Sequence, residues 1–253
     1  MYLKTKGLVL RVTPYNDTDS MLTLLTPNHG KLSVKARGLR RKNSPLIATC
    51  QLLAYGEFTL FEYRGQYTVN EANSIELFTP LRKDLQKLSL GTYFAQAAEL
   101  LSQEDLPNPE LLSLVLNCLY ALAKLQTPEA LVKAVFELRG AILAGYAPDL
   151  YGCHKCGNPF PDRFDLSEGR LECSTCRDSA SSGLRMPITA GVLESMHYIN
   201  TCDSKKLFSF SAGEDTLEQM AAITESYLTT QLERGFSTLD FYKSLLVPQS
   251  GKL

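Results

Sequence analysis

Four cysteines have the type and spacing to hold a metal ion. Cys153 and Cys156 form one C-x-x-C pair, Cys173 and Cys176 a second, and sixteen residues, 157 to 172, separate them. Each pair sets two thiolates at the ends of a tight knuckle, and a linker of that length lets the second knuckle fold back onto the first. Four sulfurs can then surround one Zn²⁺ tetrahedrally at about 2.3 Å each, within the C-x₂-C-x₁₅₋₂₀-C-x₂-C spacing of zinc sites. A redox C-x-x-C, a pair of structural disulfides and coincidence compete with this reading. A redox motif, however, needs one pair, not two at ribbon spacing. A Cys₄ shell leaves no position for water or substrate, so zinc held here is structural. His154 reads as an exposed residue of the first knuckle. Four thiolates on one Zn²⁺ carry a formal charge of about −2. Lys155, Arg163, Arg170 and Arg177 lie close enough in sequence to offset it, and Asp162, Asp165, Glu168, Glu172 and Asp178 partly cancel them.

The second chemical feature is a run of six cations in twelve residues: Lys31, Lys35, Arg37, Arg40, Arg41 and Lys42. Leu32, Val34 and Ala36 alternate with Lys31, Ser33, Lys35 and Arg37, so a strand here presents its cations on one face. A cationic strand followed by a basic loop can track a phosphate backbone, and Tyr55, Tyr63 and Tyr67 offer stacking faces. The bland reading is a solvated edge strand guarded by charge. The chain carries a net charge of −1 over 253 residues. Residues 1–80 hold ten Lys/Arg against six Asp/Glu, and the rest holds sixteen against twenty-one. A basic first third on an acidic body points to a local site for a polyanion.

Catalytic signatures are missing. There is no phosphate-cradling G-x-x-x-x-G-K-[ST] loop, no G-x-S-x-G elbow, and no H-x-E ahead of a cysteine pair as zinc deaminases require. His29, His154 and His197 are isolated in sequence. The expectation is a protein that is not an enzyme. Cys50, Cys118 and Cys202 read as small core residues, and unpaired thiols beside a zinc quartet fit a reducing cytosol. The start lacks a signal-peptide run. The longest apolar stretch, Leu111 to Ala123, is too short to span a bilayer, so no membrane partner is expected.

These residues need elements to position them. Leu8, Leu10 and Val12 alternate with Val9 and Arg11, and Met21 to Leu25 is a second apolar run. Pro27 to Gly30 is a turn and Lys31 to Arg37 a third strand. Strands over Leu52–Tyr63 and Gln66–Leu77 flank an Arg64-Gly65 hairpin turn. Five strands with no helix between them predict a small closed barrel of the OB type over residues 1–79. From residue 80 to 253 a helical domain is expected, carrying the zinc ribbon as an insert at about 150–180. Thr79-Pro80, Asn108-Pro109 and Thr127-Pro128 each read as a helix start. Further helices are expected over about Thr189–Asn200 and Asp215–Arg234. A serine-rich connector, Ser179 to Gly183, should precede them, and a frayed tail should follow Val247. Leu111–Leu125 has one narrow polar stripe, Ser113, Asn117, Tyr120 and Lys124, so its helix is buried or lends a face to a partner. The fold class is α+β.

The chain resembles the bacterial RecO family of recombinational repair proteins. The resemblance rests on Lys6-Gly-Leu-Val-Leu-Arg11, Asp17-Thr-Asp19, His29-Gly-Lys31 and Lys35-Ala-Arg-Gly-Leu-Arg-Arg-Lys-Asn-Ser44. It also rests on Phe136-Glu-Leu-Arg139 and Gly145-Tyr-Ala-Pro148 running into the cysteine quartet, about residues 4 to 176 in all. Asn16 stands after Tyr15, where the usual acidic residue is displaced, and the quartet occurs in only part of the family. The resemblance implies a bacterial protein, cytoplasmic and nucleoid-associated, that binds single- and double-stranded DNA and anneals complementary strands. It further implies that, with RecR, the protein helps load RecA onto DNA coated by single-strand binding protein (SSB). On that basis a receptor for the acidic C-terminal tail of SSB is expected between the helix around Leu111–Leu125 and that around Glu129–Ala144, using Leu112, Leu116 and Arg139. A zinc-ribbon adaptor that binds only protein is the alternative function.

Overall fold

The computed structural model describes residues 1–176 and 183–246. Arg177, Asp178, the serine-rich connector other than Gly183, and the tail from Val247 lie outside the described residues.

Strands β1 (Tyr2–Pro14), β2 (Ser20–Thr26), β3 (Gly30–Ala36), β4 (Tyr55–Tyr63) and β5 (Gln66–Glu76) close into a barrel in the order β1-β2-β3-β5-β4. β1 is long enough to serve two neighbours. Its first half pairs with β4, from Tyr2 opposite Phe61 to Leu8 opposite Tyr55, and its second half pairs with β2. The parallel step from β3 to β5, Val34 beside Tyr67 and Lys35 beside Thr68, closes the barrel. The expected OB-type barrel is therefore present. Its core is built from Val9, Leu22, Leu24, Leu32, Val34, Phe58 and Leu60. The expected alternation in β1 breaks at one place. The register shifts between Val9 and Arg11, so the inward parity passes from Val9 in the barrel core to Val12 packed against it across a bulge, while Leu8 and Leu10 are buried outside that core. β3 alternates as expected, with Leu32, Val34 and Ala36 buried and Ser33 exposed.

Gly30 is needed where it stands. Its φ is +58°, and a Cβ there would lie 2.4 Å from the Leu106 carbonyl oxygen and 2.5 Å from that of Gln103. Such close approach lets the Lys31 N–H donate to the Gln103 carbonyl at 3.0 Å.

The helices are α1 (Leu85–Leu101), α2 (Pro109–Lys124), α3 (Glu129–Leu143), α4 (Ala190–Thr201), α5 (Glu214–Gln231) and α6 (Ser237–Leu246). Two expected starts need correction. Thr79-Pro80 opens only a 3₁₀ turn, Thr79–Lys83, and α1 is capped by the Asp84 carboxylate, which accepts from the Lys87 N–H. Asp84 offers a better-placed acceptor than Thr79 and takes the cap. Thr127 caps nothing, and Pro128 itself occupies the cap position of α3. Asn108 caps α2 as expected, accepting from the Leu111 N–H at 3.0 Å. A second, small sheet orders β6 (Asp149–Cys153), β8 (Arg170–Glu172), β7 (Arg163–Asp165) and β9 (Arg185–Pro187).

Element type changes at residue 79, but compactness divides the chain elsewhere. One unit comprises Met1–Leu125 and the segment from Phe236 onward, the other Gln126–Gly235. α6, which the sequence reading leaves out, returns to the first unit, where Phe236 meets Tyr93 edge-on at 5.3 Å. Among the described residues no helix is long and apolar enough to cross a membrane.

Gly30→Ala should destabilise the protein by on the order of 3 kcal/mol, because a left-handed φ and two carbonyls both oppose a Cβ. Gly65 has φ +75° with nothing within 4 Å, so Gly65→Ala should cost only about 1 kcal/mol. Urea unfolding of the two variants checks the difference, and equal costs would show that the carbonyl approach carries no weight.

Candidate nucleic-acid interface and metal centre

The six cations of the basic run fall into two sets. Lys31 donates to the Glu99 carbonyl at 3.0 Å, in the last turn of α1, where the helix dipole favours a cation. Lys35 pairs with Asp19 at 3.2 Å and lies 4.5 Å from the centre of the Tyr15 ring. Arg40 donates to the Asn16 carbonyl at 2.7 Å. The other three, Arg37, Arg41 and Lys42, are exposed, and among the described residues none of their side chains has a hydrogen bond or ion pair.

Asp19 organises this region. Its Oδ1 accepts from the Gly38 N–H at 2.9 Å and the Thr18 hydroxyl at 3.0 Å, and its Oδ2 from the Asn16 amide at 3.2 Å. The Gly38 N–H above all, then Lys35, Thr18 and Asn16, hold the Asp19 carboxyl well below the usual carboxylate range against an opposing effect of burial. The Arg40 N–H reaches the Thr18 carbonyl at 3.0 Å. The loop that begins at Arg37 is thereby tied to the β1–β2 turn at both Gly38 and Arg40. Asn16 suits this position. Its Oδ1 accepts from the N–H groups of Thr18 and Asp19, as a carboxylate would, but its amide also donates to Asp19, as a carboxylate could not.

Of the tyrosines named above, Tyr63 is exposed, Tyr55 is half-buried, and Tyr67 is half-buried against the barrel core. Sequence reading missed Tyr2, Tyr15 and Phe61, all exposed. Tyr2 packs on Phe61 with ring centres 5.4 Å apart. The strand registers set Tyr2 beside Phe61, Phe61 beside Thr68 and Thr68 beside Lys35. One outward row therefore joins two aromatics to a cation. The signal was the parity of β1, which begins at Tyr2 and not at Leu8.

The sulfurs of Cys153, Cys156, Cys173 and Cys176 lie within 4.8 Å of one another, with Cys156 and Cys173 at 3.9 Å. A tetrahedral zinc–thiolate shell needs sulfurs about 3.8 Å apart, so the quartet fits a metal ion. Its chemistry agrees. Burial opposes the Cys153 thiolate, yet the N–H groups of Cys156, Lys155 and Cys173 bring its pKa down to about 6. Contact with the Cys156 sulfur, followed by burial, pushes Cys176 up to about 12. One thiolate is sustained by the backbone; four so close together need a cation among them.

Around the quartet, Asn158 donates to the Cys173 sulfur at 3.2 Å and His154 is exposed. Lys155 reaches the Cys176 carbonyl at 2.9 Å, whereas Arg170 pairs with Glu168. Arg185, absent from the sequence reading, is almost buried and binds Glu172 at 2.6 Å and Asp165 at 3.2 Å, joining β9 to β8 and β7. Cys50 and Cys118 are buried, and Cys202 is half-buried.

Leu112 is buried and Leu116 half-buried on α2. Arg139 on α3 donates to the carbonyls of Asn200 and Cys202 at 2.9 and 2.5 Å, at the C-terminal end of α4. Glu137 is engaged instead by Lys133 and Thr224.

An OB-type barrel whose outward cations are unpaired among the described residues, on a chain that also carries four cysteines placed to hold a metal ion, is a class of architecture suited to a polyanion. Comparison makes this specific. Residues 1–78 match the model for the recombination protein O N terminal and residues 82–240 that for the recombination protein O C terminal. DNA repair protein RecO of Acetivibrio thermocellus is 35% identical over 246 residues, 96% of this chain and 97% of its own. That of Alkaliphilus metalliredigens is 30% identical over 248 residues, 97% of this chain and 100% of its own. The chain belongs to the recombination protein O family.

The Asp19 contribution has a defined pH dependence. Its native pKa is depressed, so the stabilisation is whole above the unfolded value of about 3.9 and fades as pH falls toward the lower native value. At neutral pH, Asp19→Ala should speed amide exchange at Gly38 and Arg40, and the wild-type advantage should shrink in acid. Equal exchange in the two proteins at neutral pH would contradict the assigned role.

Proposed function

We propose that this protein acts in DNA repair and recombination as a mediator without catalytic residues of its own. It binds single- and double-stranded DNA through the outward face of β3 and the loop after it. The observation that carries this reading is the exposure of Arg37, Arg41 and Lys42, without side-chain partners among the described residues, on a loop tethered at Gly38 and Arg40. A tethered loop loses less entropy on binding than a free one, so its cations are presented ready for phosphates. Lys31, Lys35 and Arg40 hold this surface in shape and add field to it. Tyr2, Phe61 and Tyr63 supply stacking faces along the barrel for unpaired bases. Neutralised phosphates let two complementary strands approach, which supports annealing. The family's setting supports work with RecR in loading RecA onto SSB-coated strands, in the bacterial cytoplasm at the nucleoid. For the acidic SSB tail, Arg139 is the candidate cation, although two of its N–H groups serve α4. The quartet is proposed to hold one structural Zn²⁺.

Replacing Arg37, Arg41 and Lys42 together by Ala should lower the single-strand salt slope by about 2, at about 0.7 for each phosphate no longer neutralised. Affinity should fall alike for all sequences, since phosphate contacts carry no base information. An unchanged slope in the folded variant would move the DNA site elsewhere, and no binding by wild type at low salt would favour a protein-only adaptor.

Metal analysis should find about one zinc per chain. Cys153→Ser should release it and loosen β6 to β9 while leaving the single-strand salt slope intact. A stoichiometric disulfide in protein prepared under reducing conditions would overturn the assignment.

A further inference from the structure

We infer that the cleft between the first knuckle and α4 is a docking site for a protein segment that carries an apolar anchor flanked by lysine or arginine. The cleft has a volume of about 510 Å³, the size of a pocket for one or two large side chains. Leu150 and Ile188 are buried beneath it, while Tyr151 and Phe160 stand on its walls, each 78% exposed. Two open aromatic rings on the walls of an apolar cleft with a polar rim are the mark of an interaction site.

Both rings are held in place. His197 Nε2 donates to the Leu150 carbonyl at 2.8 Å, and the same imidazole meets Tyr151 edge-on at 5.1 Å. The Phe160 N–H is fixed by the Asn158 side chain at 3.0 Å, which also contacts the Cys173 sulfur, and prolines 159 and 161 flank the ring. The walls are therefore ordered before any ligand arrives, as in a preformed site.

The charge of the rim selects the occupant. Asp162 and Glu194 line the cleft, and among the described residues no lysine or arginine does. Asp162 accepts the Ser174 N–H at 2.6 Å. Glu194 is exposed, and its carboxylate has no hydrogen bond or ion pair among the described residues. Two carboxylates beside an apolar cleft repel phosphates and acidic peptides, and they complement cations flanking an apolar side chain. The segment that fits is basic and apolar, the opposite of an acidic tail. This inference is independent of the DNA-binding reading.

The test uses the full-length protein and three fluorescein-labelled twelve-residue peptides, read by anisotropy. One has a central Leu-Phe pair between Lys/Arg flanks, one the same pair between Asp/Glu flanks, and one Ser-Ser between Lys/Arg flanks. The first should bind about tenfold or more tighter than the other two. Glu194→Lys and Phe160→Ala should each weaken it about tenfold while leaving the melting temperature and the DNA salt slope unchanged. Failure of the basic Leu-Phe peptide to bind, equal binding of the acidic one, or an affinity that neither substitution alters would overturn the assignment.

Discussion

The basic side of the barrel depends on one carboxylate. Asp19 gathers the Gly38 N–H, the Lys35 ammonium and the side chains of Thr18 and Asn16, and so converts two loops into one surface. Each partner is a hydrogen-bond donor that strengthens on meeting an ionised acceptor. Without them one short side chain could not fix where a cationic loop leaves the strand. Asn16 supports Asp19 by accepting the two N–H groups of the turn, and Arg40 locks the far side through the Asn16 carbonyl. A charge that faces inward toward Asp19 is thus what allows other charges to face outward.

The four-cysteine module has the opposite problem. There, four sulfurs are gathered within 4.8 Å of one another, and backbone donors sustain the Cys153 thiolate. A cation held among the sulfurs would resolve the repulsion at the centre, and the ion pairs of Arg185 with Asp165 and Glu172 stitch the short strands around it. Three-residue strands bury too little apolar surface to hold themselves, so the module relies on charge pairing, which metal coordination would reinforce, where the barrel relies on packing.

Periodicity and spacing made much of this legible. The alternation through Leu32, Val34 and Ala36 set the barrel face of β3, and the cysteine spacing brought four sulfurs together. What escaped had no local signature. The inward parity of β1 passes from Val9 to Val12 across a bulge that depends on its partners in β2. α1 starts at Asp84 and not at Thr79 because two nearby caps compete. Arg185 lies nine residues past the last cysteine of the quartet, yet pairs with two strands of the module. Above all, a run of six cations cannot show which are engaged within the fold. Lys31, Lys35 and Arg40 find their acceptors on α1 and on the β1–β2 turn, and those partners are distant in sequence.

A cation engaged by a carboxylate or a carbonyl contributes less to an external phosphate than a free one, since its field is partly cancelled and its donors partly occupied. Counting cations therefore overstates a polyanion site, while counting the unengaged ones names it. The cleft beside α4 behaves alike with the sign reversed. Asp162 already accepts a backbone N–H, whereas the Glu194 carboxylate is open, so Glu194 dominates the choice of a basic neighbour. A chain of nearly neutral net charge can in this way present a basic surface on its barrel and an acidic rim on the unit that carries the four cysteines, each defined by the few groups that the fold leaves open.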